Sequence, residues 1–294
     1  MGKSLSKTTP SIAVVIPTRN RENLLVQVLD DLAQQILIPR IVVIVDSSDK
    51  TSIIQRSDLK VVVIHSVVRS AAIQRNLGIE FLNESGHDFE YCAFLDDDIR
   101  IDRNYLNDLV ETLSRTQGAI GVSGLAIGDK ETKYRRNRLL DILGFSGPEG
   151  TLTKGAINVP VRKAKNTVRV EWLIGCSAWK FQCLASLRFQ EDFLGQSIFE
   201  DVIFSVQAMK FGDLFVNPRI RFRHLLSEEN RPNSFNHYNA WVRNRFRLKR
   251  IAPSKVNMLQ FSIVNLLIAA KLMIQGKFTG VLGIVIAMLK NGLK

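Results

Sequence analysis

The stretch YCAFLDDDIRID, beginning at Tyr91, ends an apolar run in three consecutive carboxylates, Asp96, Asp97 and Asp98, with Asp102 four residues further on. Each like charge raises the cost of ionising the next, so water or a cation must screen them. Side chains alternate along an extended chain; if that conformation continues past Leu95, Asp96 and Asp98 share one face and Asp97 takes the other. Two carboxylates on one side suit a hard dication such as magnesium or manganese, which favours oxygen ligands and keeps waters and substrate phosphates in its shell. A calcium loop fails on spacing: counting from Asp96 puts Arg100 at a ligand position, Ile101 where glycine is required and Asn107 at the closing glutamate. The alternative is an acidic turn that caps a helix beginning near Asp102.

Elements must hold these groups in place. Short β-branched runs alternate with helical patterns: IAVVI (12–16), a helix near 21–35, IVVIV (41–45), VVVIH (61–65), a helix near 70–83, YCAFL (91–95) and a helix near 103–115. Nearly continuous apolar runs predict strands buried on both faces, as in a parallel sheet between helix layers. Ligands of such sheets sit outside the carboxyl ends of the strands. The polar residues that follow the strands, Thr18-Arg19-Asn20, Asp46-Ser47-Ser48 and Asp96-Asp97-Asp98, are therefore predicted to converge on one crevice.

At about 150 residues per domain, 294 residues allow one large domain or two small ones, and 46% hydrophobic with 23% charged residues excludes disordered and collagenous classes. Cys92, Cys176 and Cys183 are an odd set without CxxC spacing, which argues against a disulfide framework or a zinc knuckle and fits a reducing compartment. Lys3 and Lys7 precede an apolar run that Pro17 ends early, so no secretory signal is read. Gly2 with Ser6 matches the loose myristoylation pattern; a frayed terminus is the alternative. Residues 201–294 hold 15 Lys and Arg against 4 Asp and Glu, nearly all of the chain's net +12. Such asymmetry points to an anionic partner: a nucleic acid, an anionic membrane surface or a phosphorylated substrate.

VIPTRNR, VDSSDK after the second strand, RSAAIQRNLGI on a helix and FLDDD after the next buried strand resemble the nucleotide-binding half of the family 2 glycosyltransferases. EWLIGCSAWKF and FLGQSIFEDVIFSVQAMKFG resemble that family's acceptor-side segment and its Glu-Asp helix motif, so the likeness runs over residues 11–225. The resemblance implies an α/β GT-A fold, a Rossmann-like and mostly parallel sheet flanked by helices, over residues 10–230, with a donor-binding half at 10–126 and an acceptor half at 127–230. It implies transfer of a sugar from a nucleoside diphosphate donor with inversion, to a glycan or lipid-linked acceptor, with Mn2+ or Mg2+ at the Asp-x-Asp. Carried over by position, Thr18, with Arg19 beside it, and Asp46 border the nucleoside, and Arg75 meets the diphosphate or base. Asp96 contacts ribose or metal, Asp98 is the metal ligand proper, and His224 completes the metal shell. Asp201 is the family-matched general base for the attacking hydroxyl, while the cation stabilises the departing diphosphate as a Lewis acid.

Each assignment has a plainer counterpart. Asp46 suits a turn, Arg75 a solvated helix face, His224 a satisfied core or surface histidine, and Glu200 with Asp201 a helix start. Glu191 and Asp192 are competing carboxylates. Gly78 lets a helix approach the sheet, and Trp172 and Trp179 could floor a sugar site or fill the core. VDSSDK lacks the frequent second acidic residue, which leaves the base of the nucleotide open. The segment 127–168 reads as an insertion or loop over the acceptor side.

Beyond Arg231 a helical extension is expected over 231–294. Arg243, Arg245, Arg247, Lys249 and Arg250 interleave with Trp241 and Phe246, and then comes the apolar VNMLQFSIVNLLIAAKLMIQ, with Asn257, Gln260, Lys271 and Gln275 in one narrow polar strip at ~100° per residue. A membrane span needs about 20 apolar residues; Asn265 and Lys271 interrupt the first run and FTGVLGIVIAML is too short. The expected arrangement is a peripheral anchor on an anionic membrane, at its cytoplasmic face, the alternative being helices packed on the domain or on a second subunit. Rival readings are a nucleic-acid binder, a sugar nucleotidyltransferase and a catalytically inert lectin-like relative. A nucleic-acid binder stacking bases on Trp241 and Phe246 leaves the aspartates unexplained, and a sugar nucleotidyltransferase lacks its glycine-rich loop after the first strand.

Overall fold

The computed structural model describes residues 9–50, 54–128, 137–193, 197–225 and 233–292; Gly2 and Ser6 lie outside them. The elements in order are β1 (Ile12–Thr18), α1 (Glu22–Ala33), β2 (Ile41–Asp46), β3 (Val61–His65), α2 (Ala71–Glu84), β4 (Tyr91–Phe94), β5 (Ile99–Ile101) and α3 (Tyr105–Arg115). There follow β6 (Ala119–Ile127), α4 (Arg138–Ile142), β7 (Val168–Val170), β8 (Ser177–Lys180), α5 (Phe181–Leu184), α6 (Glu200–Ala208) and β9 (Asp213–His224). Three helices close the chain: α7 (Ser234–Ile251), α8 (Met258–Ile274) and α9 (Phe278–Gly292).

The described strands form one sheet in the order β3-β2-β1-β4-β8-β6-β9-β5, with β7 on β9. β3, β2, β1 and β4 are mutually parallel, as their unbroken apolar runs predict, and the sheet continues through antiparallel β8. Thr18 pairs with Asp46 and Val15 with Phe94, so the carboxyl ends of these strands reach the same edge. Alternation along β1 feeds two cores: Ile12, Val14 and Ile16 pack with Leu25, Leu29 and Leu109 of α1 and α3, while Ala13 and Val15 pack with Ala72, Ile79 and Phe204 of α2 and α6. Each fully buried aliphatic side chain contributes about 1.5–3 kcal/mol. Ser70 caps α2 through its hydroxyl, which accepts from the Ile73 amide at 3.3 Å. α3 starts at Tyr105 rather than near Asp102, because residues 99–101 form the short strand β5 on β9.

The C-terminal extension departs from a surface stripe of cations. Arg245 is fully buried. Its guanidinium lies 4.0 Å from the Trp241 ring centroid and 4.6 Å from that of Phe261. It donates to Ala156 O at 2.9 Å, to Asn265 Oδ1 at 2.8 Å and to Gly155 O. Burial lowers its pKa to about 9. Arg247 pairs with Asp192 at 2.5 Å and Lys249 donates to Pro253 O and Val256 O. Phe246 is buried and Trp241 carries Arg245, so neither is a free platform for a base. The described part of segment 127–168 packs against α7 and α8 through these carbonyl contacts, where a loop over the acceptor side was expected. Asn257 caps α8 and Gln260 donates to Ile142 O, so half of the predicted polar strip is used in packing.

A glycine at position 78 is required by the close approach of α2 to β1. A Cβ there would come within 2.4 Å of Val15 Cγ1 and 3.0 Å of Cγ2. Val15 is β-branched, fully buried and cannot swing aside. Gly78→Ala is expected to cost about 1–3 kcal/mol by overpacking, read as a lower urea midpoint with an unchanged slope.

Candidate active site

The strand ends enclose a cleft of about 580 Å³. Its walls include Thr18 and Arg19 after β1, Ser47 after β2, Asp96, Asp97 and Asp98 after β4, Asp201 on α6 and His224 at the end of β9. The chain leaves β4 through a turn at Asp97 and Asp98 rather than staying extended. All three aspartates therefore border the cleft, where simple alternation would have turned Asp97 away. Thr18 Oγ1 donates to Asp97 Oδ2 at 2.7 Å, and Arg21 Nη1 reaches Asp97 Oδ1 at 2.9 Å and Asp98 Oδ2 at 3.3 Å. Burial raises the Asp97 pKa to about 6, and the charge of Arg21 and the Thr18 hydrogen bond only partly oppose it. Gln74 of α2 donates to Thr18 O at 2.9 Å and Val45 O at 2.5 Å, tying the ends of β1 and β2 together.

Asp96, Asp98 and His224 form the one group of three or more acidic, histidine or cysteine ligands among the described residues that could hold a metal ion. Their ligand atoms lie within 4.8 Å of one another. His224 Nε2 is 3.8 Å from Asp96 Oδ2 and 3.5 Å from Asp98 Oδ1. Two backbone features bring the histidine there: Ile99 pairs with His224 across β5 and β9, and the Leu225 amide donates to Asp98 O at 2.8 Å. Two carboxylates and an imidazole beside an open cleft fit manganese or magnesium, whose remaining positions would take water or phosphate oxygens. Burial pushes the Asp96 carboxyl up, but the His224 hydrogen bond and the Arg75 charge outweigh it and hold the pKa at about 2. Asp96 is thus a carboxylate throughout the physiological range.

Arg75, expected at the diphosphate or base, lines the cleft and spans two acids. Nη2 donates to Asp96 Oδ1 at 2.9 Å and Nη1 donates to Glu200 Oε1 in a tight ion pair. The guanidinium is buried, 5.5 Å from the Phe189 ring centroid, and a Cβ at Gly175 would sit 3.0 Å from Nη2. Glu200 and Asp201 open α6, where the helix dipole favours negative charge. The preceding Ser197 and Phe199 have φ of 53° and 75°, a left-handed backbone that non-glycine residues adopt at a cost. Asp201 Oδ1 accepts from the Val202 amide at 2.8 Å. Burial raises the pKa of both carboxyls; the charges of Asp201 and Asp96 raise that of Glu200 further, the charge of Asp96 raises that of Asp201, and Arg75 opposes both.

Asp46 is buried below the rim, and its Oδ1 accepts from the Ser48 amide at 2.8 Å and from the Ser48 hydroxyl, leaving Ser47 to line the cleft. Trp179 fills the core beside Phe204 and Trp172 donates to Val159 O at 3.3 Å; neither lines the cleft. Sequence reasoning missed Arg21, Arg69 and His237 as lining residues. The TRNR run offers a signal for Arg21, whereas His237 comes from the first turns of α7 and has none.

The bridge by Arg75 sets an expectation for stability. Arg75→Met should cost about 3–5 kcal/mol, because Glu200 is left buried without its cation. Adding Glu200→Gln should return part of the loss, giving a coupling energy in a double-mutant cycle measured by urea unfolding.

Comparisons with known proteins agree with this geometry. No curated protein sequence matches the chain significantly. The structure is similar to S. aureus TarS 1-349 in complex with UDP-GlcNAc, with TM-score 0.56 and 16% identity over 90% of this chain and 73% of that one. Against another TarS structure the chain covers 39% of that chain's length. It is also similar to the mannosyltransferase PcManGT from Pyrobaculum calidifontis in complex with GDP-Man and Mn2+, with TM-score 0.55 and 16% identity over 98% of this chain and 76% of that one. These likenesses show the GT-A fold. The sequence profile of glycosyl transferase family 2 matches residues 13–172, more than half of the chain, and the protein belongs to that family.

Proposed function

We propose that the chain moves a sugar from a nucleoside diphosphate donor, with inversion, to a hydroxyl of a glycan or lipid-linked acceptor. The observation that carries this reading is the Asp96–Asp98–His224 group at the strand ends, in the same cleft as Asp201. The TarS and PcManGT structures are complexes with UDP-GlcNAc and with GDP-Man, which supports a nucleotide-sugar donor here. Asp96, Asp98 and His224 would hold manganese or magnesium, which when bound neutralises the charge growing on the departing diphosphate. Thr18, Arg19 and the turn made by Asp46 and Ser48 border the nucleoside end, and Arg21 and Arg69 add positive charge to the cleft wall. Asp201 takes the proton of the acceptor hydroxyl as its oxygen bonds to the anomeric carbon and the bond to the diphosphate oxygen breaks. With Oδ1 held by the Val202 amide, Oδ2 is the atom that receives it, and a pKa above that of an ordinary Asp makes it the stronger base. The basic and apolar extension supports a peripheral position on the cytoplasmic face of an anionic membrane. No helix among the described residues is long and apolar enough to cross one.

Thermal unfolding with UDP, dTDP or GDP, each with and without manganese, tests the donor site. One nucleotide should raise the melting temperature only when the metal is present, and Asp98→Asn should remove that rise. Stabilisation by none of the three would contradict the reading. Asp201→Asn should leave this metal-dependent binding intact while lowering kcat by about 10²–10⁴-fold. Because the active form of Asp201 is the carboxylate and its pKa is raised, kcat should fall as pH decreases through a value above the ~4 of an ordinary Asp. A pH–rate profile that stays flat down to pH ~4 would exclude Asp201 as the base.

A further inference from the structure

Burial of α8 and α9 is one-sided. Phe261, Val264, Asn265 and Leu272 of α8, and Gly280, Gly283, Ile284 and Ala287 of α9, face the protein. The opposite side is apolar and open: Leu259 is 72% exposed, Leu266 69%, Ile274 89% and Phe278 63%, with Leu282 and Leu289 also exposed. Ten of the nineteen exposed large hydrophobic side chains lie between Met258 and Leu289, so the patch is a contiguous feature and not ordinary scatter. Lys271 of α8, Lys290 of α9 and Lys277 in the turn between them are exposed, and no Asp or Glu occurs between Asn233 and Gly292.

We infer that this face docks in the headgroup region of an anionic bilayer and sets the mouth of the cleft at the membrane surface. The inference deepens the peripheral placement given above and names the surface responsible. α8 has 17 residues and α9 has 15, so at 1.5 Å per residue they reach roughly 25 Å and 22 Å, short of the ~30 Å hydrocarbon core. Helices of that length with one apolar face and lysines about it lie in the interface plane. Charge decides between lipid and a second copy of the chain. A two-fold contact would set the patch against itself, bringing lysines together with no carboxylate from these helices to pair them, whereas anionic headgroups supply that charge. The orientation follows from the seam between α9 and α7. A Cβ at Gly280 would lie 2.7 Å from Ser234 Oγ and 2.9 Å from Tyr238 Cδ2, and one at Gly283 2.5 Å from Phe235 O. Those α7 residues flank His237, which lines the cleft, so the first turns of α9 pack on the part of α7 that reaches the cleft.

Flotation of the full chain with vesicles tests this. The protein should bind phosphatidylcholine vesicles containing phosphatidylglycerol and be released by salt, and should bind pure phosphatidylcholine vesicles roughly tenfold or more weakly. Leu266→Asp with Phe278→Asp should abolish binding while the metal-dependent nucleotide shift is retained, which shows that the fold is intact. Lys271→Glu with Lys277→Glu, which leaves the apolar face untouched, should lose the preference for anionic vesicles. The tryptophan introduced by Ile274→Trp should be quenched by bromine-labelled acyl chains, and that introduced by Phe211→Trp should not. Equal binding of native and Leu266→Asp/Phe278→Asp protein, or a dimer in ultracentrifugation that the same variant dissociates, would overturn the assignment. Vesicle binding needs no catalysis, so its failure would leave the transferase reading standing.

Discussion

Repulsion among carboxylates gathered at the ends of parallel strands is the constraint around which this structure is organised. Asp96, Asp97, Asp98, Glu200 and Asp201 border one cleft. Two unit charges 4 Å apart repel by about 4 kcal/mol at an effective dielectric near 20, so five cannot ionise together unaided. The protein answers with three devices. Arg21 neutralises Asp97 and leans on Asp98, Arg75 bridges Asp96 to Glu200, and burial keeps Asp97, Glu200 and Asp201 protonated to higher pH than ordinary acids. What is left is a pair of carboxylates, Asp96 and Asp98, with an imidazole and open space in front of them, which is the arrangement a dication completes.

Arg75 links the two chemical halves of the site. It comes from α2, which the missing Cβ of Gly78 lets settle on β1, and it contacts both the acid after β4 and the first residue of α6. Glu200, Arg75 and Asp96 are thus held in one chain of ion pairs between α6, α2 and the end of β4. In the proposed function, the acids at the strand ends and the carboxylates of α6 share this buried charge.

The N-terminal half of the sheet was legible in the sequence because its signal is local. Continuous apolar runs in β1, β2 and β4 gave strands buried on both faces, and the polar residues that follow them fell into one cleft. Asp96 and Asp98 were paired correctly for a reason that does not hold: a turn at Asp97 and Asp98, not strand alternation, brings them together with His224. Roles that depend on distant partners were not legible. The engagement of Arg75 by Glu200 and the arrival of His237 at the strand ends depend on side chains far apart in sequence. Arg245 shows the same limit. In a run of alternating cations it looks solvated, yet the carbonyls of Gly155 and Ala156 and two aromatic rings draw it into the core.

The central claim is that a dication is held between Asp96, Asp98 and His224. Anomalous diffraction from crystals grown with manganese and the stabilising nucleotide tests it most directly. The account requires a manganese peak within coordination distance of all three side chains and of a phosphate oxygen. Nucleotide seated at the strand ends with no such peak, or with the metal bound by other residues, would contradict it.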